Sequence, residues 1–470
     1  MHRTSIAVVG AGISGLAAAW LLRERHRVTL FEAGACAGGH TNTVEVELEG
    51  VRAPVDTGFL VFNEHTYPNL IALFKQIGVA SVTSEMSFSV RIERESLEWA
   101  GTSIGALFAQ KRNLARPGFW RMLADIMRFN RTAPAFAETP DSGQISLGEF
   151  LERGRYSREF CDWYLLPMAA AIWSCPMGAM RAFPAASFIR FFVNHGLLQI
   201  TRRPRWMTVT GGGREYVRRL LADLDDVRLA TPVTGVRRTA DAVEVTAAGQ
   251  VERFDQIVMA THSDQSLALL CDPGSDERAV LEAIRYQPNE AWLHTDTGFL
   301  PDSRSAWAAW NFSGNGAAAD AASPGDSVAK TVANPVAGSA TDAVADAAAS
   351  AAQGSVSVTY LINRLQPLPM RTPVMVTLNP HRPIAADRVI ARFDYAHPVL
   401  DAPALVAQQR LPGIQGQRRT WFCGAWTGYG FHEDGLKSAL AVAAQLGVHA
   451  PWTASDSGHA SAGPRLAGAA

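Results

Sequence analysis

The chain has 470 residues, 47% of them hydrophobic and 19% charged, with a formal net charge of -1. That composition excludes wholesale disorder, and the balanced charge excludes a global basic field for nucleic acid. Five cysteines (Cys36, Cys161, Cys175, Cys271, Cys423), odd in number and without a CxxC pair, predict free thiols in a reducing, cytoplasmic setting.

Residues 5–22, SIAVVGAGISGLAAAWLL, form an apolar run that hydropathy alone reads as a span or a signal. Three glycines at fixed spacing, a positive flank of Arg3 only and a strand-like sequel argue for strand, turn and helix instead. Residues 5–9 predict a strand, Ser14 to Arg25 a helix, and Arg27–Phe31 a second strand ending at Glu32, the opening of a βαβ unit. Residues 43–62 alternate as strands. Residues 65–78 predict a helix, with Leu70, Leu73, Phe74 and Ile77 on one face. Residues 101–200 read as mostly helical. Strand signals return at Met207–Val209, Val227–Ala230, Val233–Arg237, Ala242–Thr246 and Gln256–Ala260, then across Ser355–Leu378. The last strong feature is a strand, a glycine-rich loop and a helix beginning near Asp434-Gly435. Residues 313–355, rich in small residues and free of aromatics, and 454–470 read as a low-complexity insertion and a flexible tail.

Gly10-Ala-Gly12-Ile13-Ser14-Gly15 follows a strand and opens a helix. Gly10 permits the turn, Gly12 lets backbone approach a pyrophosphate, and Gly15 lets helix and strand pack closely. The helix N-terminus offers free N–H groups and the positive dipole end. Glu32 can accept from ribose hydroxyls. Together they predict a bound adenine dinucleotide. Gly211-Gly-Gly213 also precedes a helical run but lacks an acid-ended strand at the required distance, so no separate NAD(P)H domain is expected.

A second set of motifs decides between dinucleotides. Ala33 opens the stretch leading to Gly38-Gly39-His40, which resembles the second phosphate-contact motif of flavoproteins in the glutathione-reductase-like and amine-oxidase superfamily. Val55-Asp56-Thr57-Gly58-Phe59 resembles their flavin-flanking strand and turn, and Thr231-Pro-Val233 the strand that grips adenine. The segment through Ala260 to His262 resembles the strand returning to the nucleotide domain. Gly424-Ala425 and Glu433-Asp434-Gly435-Leu436 resemble the closing motif at the flavin pyrimidine edge. These matches run in the family's order over most of residues 1–450. GGHTNTV, VDTGFLVFN and CGAWTGYGFHEDGLKS are similar to a bacterial subfamily of FAD-dependent, amine-oxidase-like oxidoreductases often encoded near cyclopropane-fatty-acid-synthase-like enzymes.

The resemblance implies FAD as cofactor and an α/β fold. Its Rossmann-like FAD domain is drawn from 1–62, 205–265 and 415–450, and its mixed-sheet, helical substrate domain from 63–204 and 266–414. It also implies a fatty-acyl or other lipid substrate handled by hydride transfer. An authentic amine oxidase, a redox-neutral flavin-dependent isomerase, a flavin-binding accessory subunit of a lipid-modifying partner and a plain NAD-binding protein stand as alternatives. Many superfamily members carry Arg where this chain has His40, which could donate to a phosphate or simply pack. Asp434 could cap its helix as well as meet cofactor. His432 stands as candidate acid or base, with Trp426 and Tyr429 lining the substrate side; loop packing is the other reading of all three. No metal-ligand spacing appears. The aromatic and methionine residues between Trp163 and Phe192, with nearby arginines, form either a helical core or an apolar pocket with a cationic rim. The cluster Arg202–Arg205 suggests docking on anionic lipid at the inner membrane face.

Overall fold

The computed structural model describes residues 3–139, 142–143, 145–199, 204–314 and 357–453. The expectations for 313–355 and the tail thus lie outside the described residues, except that Ser313 and Gly314 close a strand, Trp310–Gly314. Arg202 and Arg203 also lie outside them.

Five parallel strands form the first sheet: β1 (Ser5–Val9), β2 (Arg27–Phe31), β3 (Asp226–Arg228), β4 (Gln256–Met259) and β5 (Thr420–Phe422), in the order β3-β2-β1-β4-β5. The order reverses direction at β1, the topological switch point of doubly wound sheets. Helix α1 (Ile13–Leu22) crosses from β1 to β2 and is buried at every position. That burial explains the apolar run 5–22: it is a core strand and a helix held between the sheet and the last helix, α6 (His432–Gln445). An antiparallel ribbon, Val233–Arg238, Val243–Ala247 and Gln250–Phe254, leads into β4.

The second sheet has seven strands, ordered 389–398, 286–294, 375–378, 357–361, 310–314, 88–92 and 97–100. All neighbours are antiparallel except 310–314 with 88–92. Helices α3 (Pro117–Ala137) and α4 (Ala185–Asn194), with the helical stretch between them, pack in one apolar cluster with this sheet. Phe119, Phe129, Phe160, Phe188 and Phe192 are fully buried there. No described helix is long and apolar enough to cross a membrane.

Two boundaries that differ from expectation bear on the site. The strand expected to run on to Phe62 stops at Asp56. There the chain leaves the ladder to pack on the glycine loop: Phe59 N–H donates to the His40 carbonyl at 2.9 Å, and a Cβ on Gly58 would lie 2.1 Å from the same oxygen. The last helix begins at His432, not near Asp434. The Asp434 carboxylate accepts from Phe431 N–H at 3.0 Å, which makes Asp434 the third helical residue rather than the cap.

Candidate active site: a cofactor cleft opening into an aromatic chamber

The carboxyl ends of β1, β4 and β5 open into a connected cavity of about 1020 Å³, at the upper end of the range for ligand pockets. Gly10, Gly12, Ile13, Ser14, Glu32, Ala33, Gly38, Gly39, His40, Thr57, Gly58, Phe59, Val233, Ala260, Gly424, Ala425, Trp426, Tyr429 and His432 all line it. Segments more than 400 residues apart in sequence thus meet at one cleft.

At the dinucleotide end the lining is mostly backbone. Gly10 sits at φ +100, where L side chains are strained, and its N–H donates to the Phe31 carbonyl at 2.8 Å. A Cβ on Gly15 would stand 1.8 Å from the Gly10 carbonyl oxygen, whereas one on Gly12 would meet no protein atom within 4 Å. The space over Gly12 is therefore a cradle that only a missing side chain keeps free. Gly39 folds back onto it, with its own added Cβ 3.2 Å from Gly12 Cα, and Gly38 N–H donates to the Ala11 carbonyl at 2.8 Å. No side chain caps α1, so its first N–H groups are left for a ligand. Glu32 accepts from Ala11 N–H at 2.7 Å and Gly34 N–H at 2.8 Å. A carboxylate takes about four such bonds, so it keeps capacity for hydroxyls.

Farther in, three imidazoles gather. His40 stacks on Tyr395 with ring centroids 5.0 Å apart and lies 5.3 Å from His397 and 6.3 Å from His262. Burial, reinforced by its neighbouring histidines, lowers the His40 pKa to about 3; burial takes His397 down to about 4. Both are neutral at pH 7. His40 Nε2 is buried without a partner, a donor or acceptor set in the cleft wall. Tyr395 Oη pairs with Thr57 Oγ1 at 2.8 Å and receives Asn42 Nδ2 at 3.2 Å.

His432 stacks on Phe59, 3.9 Å between centroids, with Nε2 2.8 Å from Thr41 Oγ1 and 3.2 Å from Tyr216 Oη. Burial lowers its pKa to about 3. The ring so committed ties the start of the last helix to Thr41, next to the glycine loop. Trp426 is buried and donates Nε1–H to the Thr261 carbonyl at 3.2 Å. Tyr429, half-buried, sits edge-on to Phe191 at 5.6 Å.

Five expected site residues stand behind the wall rather than on it. Gly15 packs under Gly10. Glu433 turns to α2 (Pro68–Gln76), accepting from Asn69 N–H, Asn69 Nδ2 and Leu70 N–H at 2.7–3.1 Å. Asp434 closes the first turn of α6, and burial raises its pKa to about 6. Leu436 is fully buried in the core around α1. Gly435 touches that helix: an added Cβ would lie 2.7 Å from Ser14 Oγ and 2.9 Å from Ile13 Cγ2. Gly435 thus sets how closely α1 and α6 approach.

Asp56 does similar work. Its carboxylate accepts from Gly213 N–H at 2.9 Å and Gln366 Nε2 at 2.8 Å, and burial raises its pKa to about 6. The Gly211–Gly213 run is therefore tied to a buried acid at the start of α5 (Arg214–Ala222).

Beyond the imidazoles the cavity becomes an aromatic chamber lined by Phe88, Trp99, Tyr164, Trp173, Phe191, Trp206, Trp310, Tyr360 and Phe431, with Met86, Met168 and Ile172. Tyr164, Met168, Trp173 and Phe191 face the chamber, while Met177, Met180, Phe183, Phe188 and Phe192 pack the core; the expected cationic rim reduces to Arg205, as Arg181 and Arg190 do not line the cavity. Among the lining residues Glu32, at the far end, is the one carboxylate, and the exposed Arg205 is the one Lys or Arg.

The family model described as flavin containing amine oxidoreductase matches residues 13–343. The chain belongs to that family. Its α/β fold is amine-oxidase-like. The carotenoid phi-ring synthase of Streptomyces griseus is 28% identical over 335 residues, 64% of this chain and 62% of that protein. The synthase of the same name from Chlorobaculum tepidum is 27% identical over 203 residues, 39% of this chain and 30% of that one. The chain thus spans less than two thirds of the length of these curated relatives. Among solved structures, the CLA-producing fatty acid isomerase from P. acnes has a TM-score of 0.60 at 14% identity, covering 95% of this chain and 99% of its own. Cyclohexylamine oxidase from Brevibacterium oxydans IH-35A has a TM-score of 0.62 at 15% identity, covering 95% and 100%. At such identities these likenesses are of fold alone.

The flavoprotein cleft fits its cofactor: the Gly12 cradle, the uncapped helix and the orphaned His40 nitrogen are what a dinucleotide would fill. Gly10, Gly12, Ile13, Ser14, Gly38 and Gly39 would hold the pyrophosphate, and Glu32 a ribose. When bound, FAD supplies a hydride acceptor or donor. The Thr41–His432–Phe59 wall would help orient it, and the aromatic chamber would shield it from water.

Proposed function

We propose that this flavoprotein acts on an extended, hydrophobic, lipid-class substrate by hydride transfer to or from FAD. The observation that carries the reading is the chamber itself, aromatic and methionine walls without a carboxylate. A protonated amine entering it would lose its hydration and find no acid to pair with. A hydrocarbon chain would gain about 25 cal/mol for each Å² of apolar surface it buries. Arg205 stands at the rim for a polar or anionic end. Relatives named for carotenoid ring synthesis support the same class, since a carotenoid is a long apolar molecule. Such substrates reside in membranes, so the reading also brings the protein to a bilayer surface.

The test is anaerobic mixing of the purified yellow protein with candidate lipids and amines, following loss of visible flavin absorbance. Bleaching by an apolar lipid and not by simple amines is the expected result. Bleaching by amines alone would overturn the substrate class. Bleaching only on adding a lipid-modifying enzyme would make this chain an accessory subunit.

A further inference from the structure

The helical layer over the seven-stranded sheet carries an unusual outer face. Four large apolar side chains stand in water within one stretch of sequence: Ile104 (79% exposed), Leu114 (53%), Trp120 (50%) and Met127 (57%). Leu114 and Trp120 are in contact. Trp120 Nε1–H donates to the Leu114 carbonyl at 2.9 Å, and the half-buried Phe108 ring lies 5.7 Å from the Trp120 ring. Met127 follows Trp120 by seven residues on the same side of α3. A cluster of this kind is uncommon on a protein that meets only water.

The stretch itself is rich in cations, with Glu95 the neighbouring carboxylate beside Arg116. Residues 104–131 contain Lys111, Arg112, Arg116, Arg121, Arg128 and Arg131 against the single carboxylate of Asp125, in a chain whose net charge is -1. Arg121 pairs with Glu159, and Arg128 with Asp125. Arg112 and Arg116 donate to the carbonyls of Ser96 and Glu95, which holds the turn in place. Among the described residues Lys111, Arg112, Arg116 and Arg131 form no ion pair with a carboxylate.

We infer that the Ile104–Met127 face docks on an anionic lipid bilayer, its apolar tips entering the headgroup region and its basic residues meeting lipid phosphates. An indole at the boundary, apolar tips and a flanking basic cluster are the combination that holds a protein on a membrane without spanning it. The location also suits a purpose. Gly101, three residues before Ile104, lines the cavity, so the docked face adjoins the chamber. That purpose rests on the lipid-class reading above; the docking itself does not.

The experiment is co-sedimentation of the full chain with vesicles of phosphatidylcholine alone or of phosphatidylcholine mixed with phosphatidylglycerol, at low and high salt. Wild-type protein should sediment with the mixed vesicles, less so at high salt, and poorly with neutral ones. Lys111→Glu with Arg131→Glu should weaken binding to mixed vesicles by ~10-fold or more, as expected for basic residues near an anionic surface. Ile104→Asn with Met127→Gln should also reduce it, with visible flavin absorbance and circular dichroism unchanged in both. No sedimentation at low salt, equal binding to neutral vesicles, or wild-type binding by both variants would overturn the inference. Vesicle binding without flavin bleaching by any lipid supports docking and counts against the substrate reading alone. Bleaching by detergent-dispersed lipid without vesicle binding does the reverse.

Discussion

The two ends of the cavity are built from different materials. The cofactor end is lined by backbone, at Gly10, Gly12, Gly38, Gly39 and Gly58, where an added methyl would strike a carbonyl or fill the cradle. The substrate end is lined by side chains, Trp99, Tyr164, Trp173, Phe191, Trp310 and Tyr360 among them. Close backbone approach demands particular residues at particular spacings. Apolar walls demand only volume and shape, which many sequences supply. The first kind of site therefore tolerates little change, while the second can be retuned without losing the cofactor.

The sharpest way to break this contrast is Gly435→Val. Its branched side chain would push on Ser14 and Ile13 from behind the cofactor turn. Overpacking of that kind costs about 1–3 kcal/mol, and the variant should stay soluble yet purify colourless. Full yellow colour would show that the α1–α6 spacing does not control the cleft. A smaller effect is expected from Ile172→Phe, which adds bulk to the chamber wall. It should leave flavin content intact and raise KM for a long apolar substrate by ~10-fold, since one or two methylenes of fit are worth about 1–3 kcal/mol. Loss of flavin would mean the two ends are not separable.

The mildest expected effect is on pH dependence. Burial lowers the pKa of His40 and His432 to about 3 and of His195, His294 and His397 to about 4. An unfolded histidine titrates near about 6.5, so between that pH and about 4 the unfolded chain binds protons that the folded chain refuses, and stability falls with pH. Asp56 and Asp434, raised to about 6, act in the opposite sense, binding protons in the folded state first. His262 and His381 are lowered as well, and Asp162 and Glu433 raised, so seven histidines against four carboxyls predict a net loss, read as a falling urea midpoint on acidification from neutrality towards about pH 5. A flat or rising midpoint would place the histidines outside the buried wall.

Much of the cofactor end was legible because its residues carry their own reason. GAGISG after an apolar strand, Glu32 after the next strand and Gly38-Gly39 are local patterns, and all but Gly15 line the cleft. The closing motif was legible as a partner of that cleft but not in its role. Nothing local shows that Glu433 turns towards Asn69 and Leu70 or that Leu436 faces the core. The imidazole group was invisible as a group. His40, His262 and His397 come from a loop, a helix cap and a long edge strand, and only the packing of the two sheets brings them within about 6 Å.

The amino-acid sequence by itself determined the turns, since a carbonyl two or three ångströms away excludes every residue but glycine. It likewise determined that the amino-terminal apolar run is core, since glycines at that spacing make a turn between strand and helix. Tertiary structure alone decided which of the many aromatic residues became wall and which became core. Burial depends on where a helix face lands against a sheet, and a Phe at 188 and a Phe at 191 differ in nothing but that.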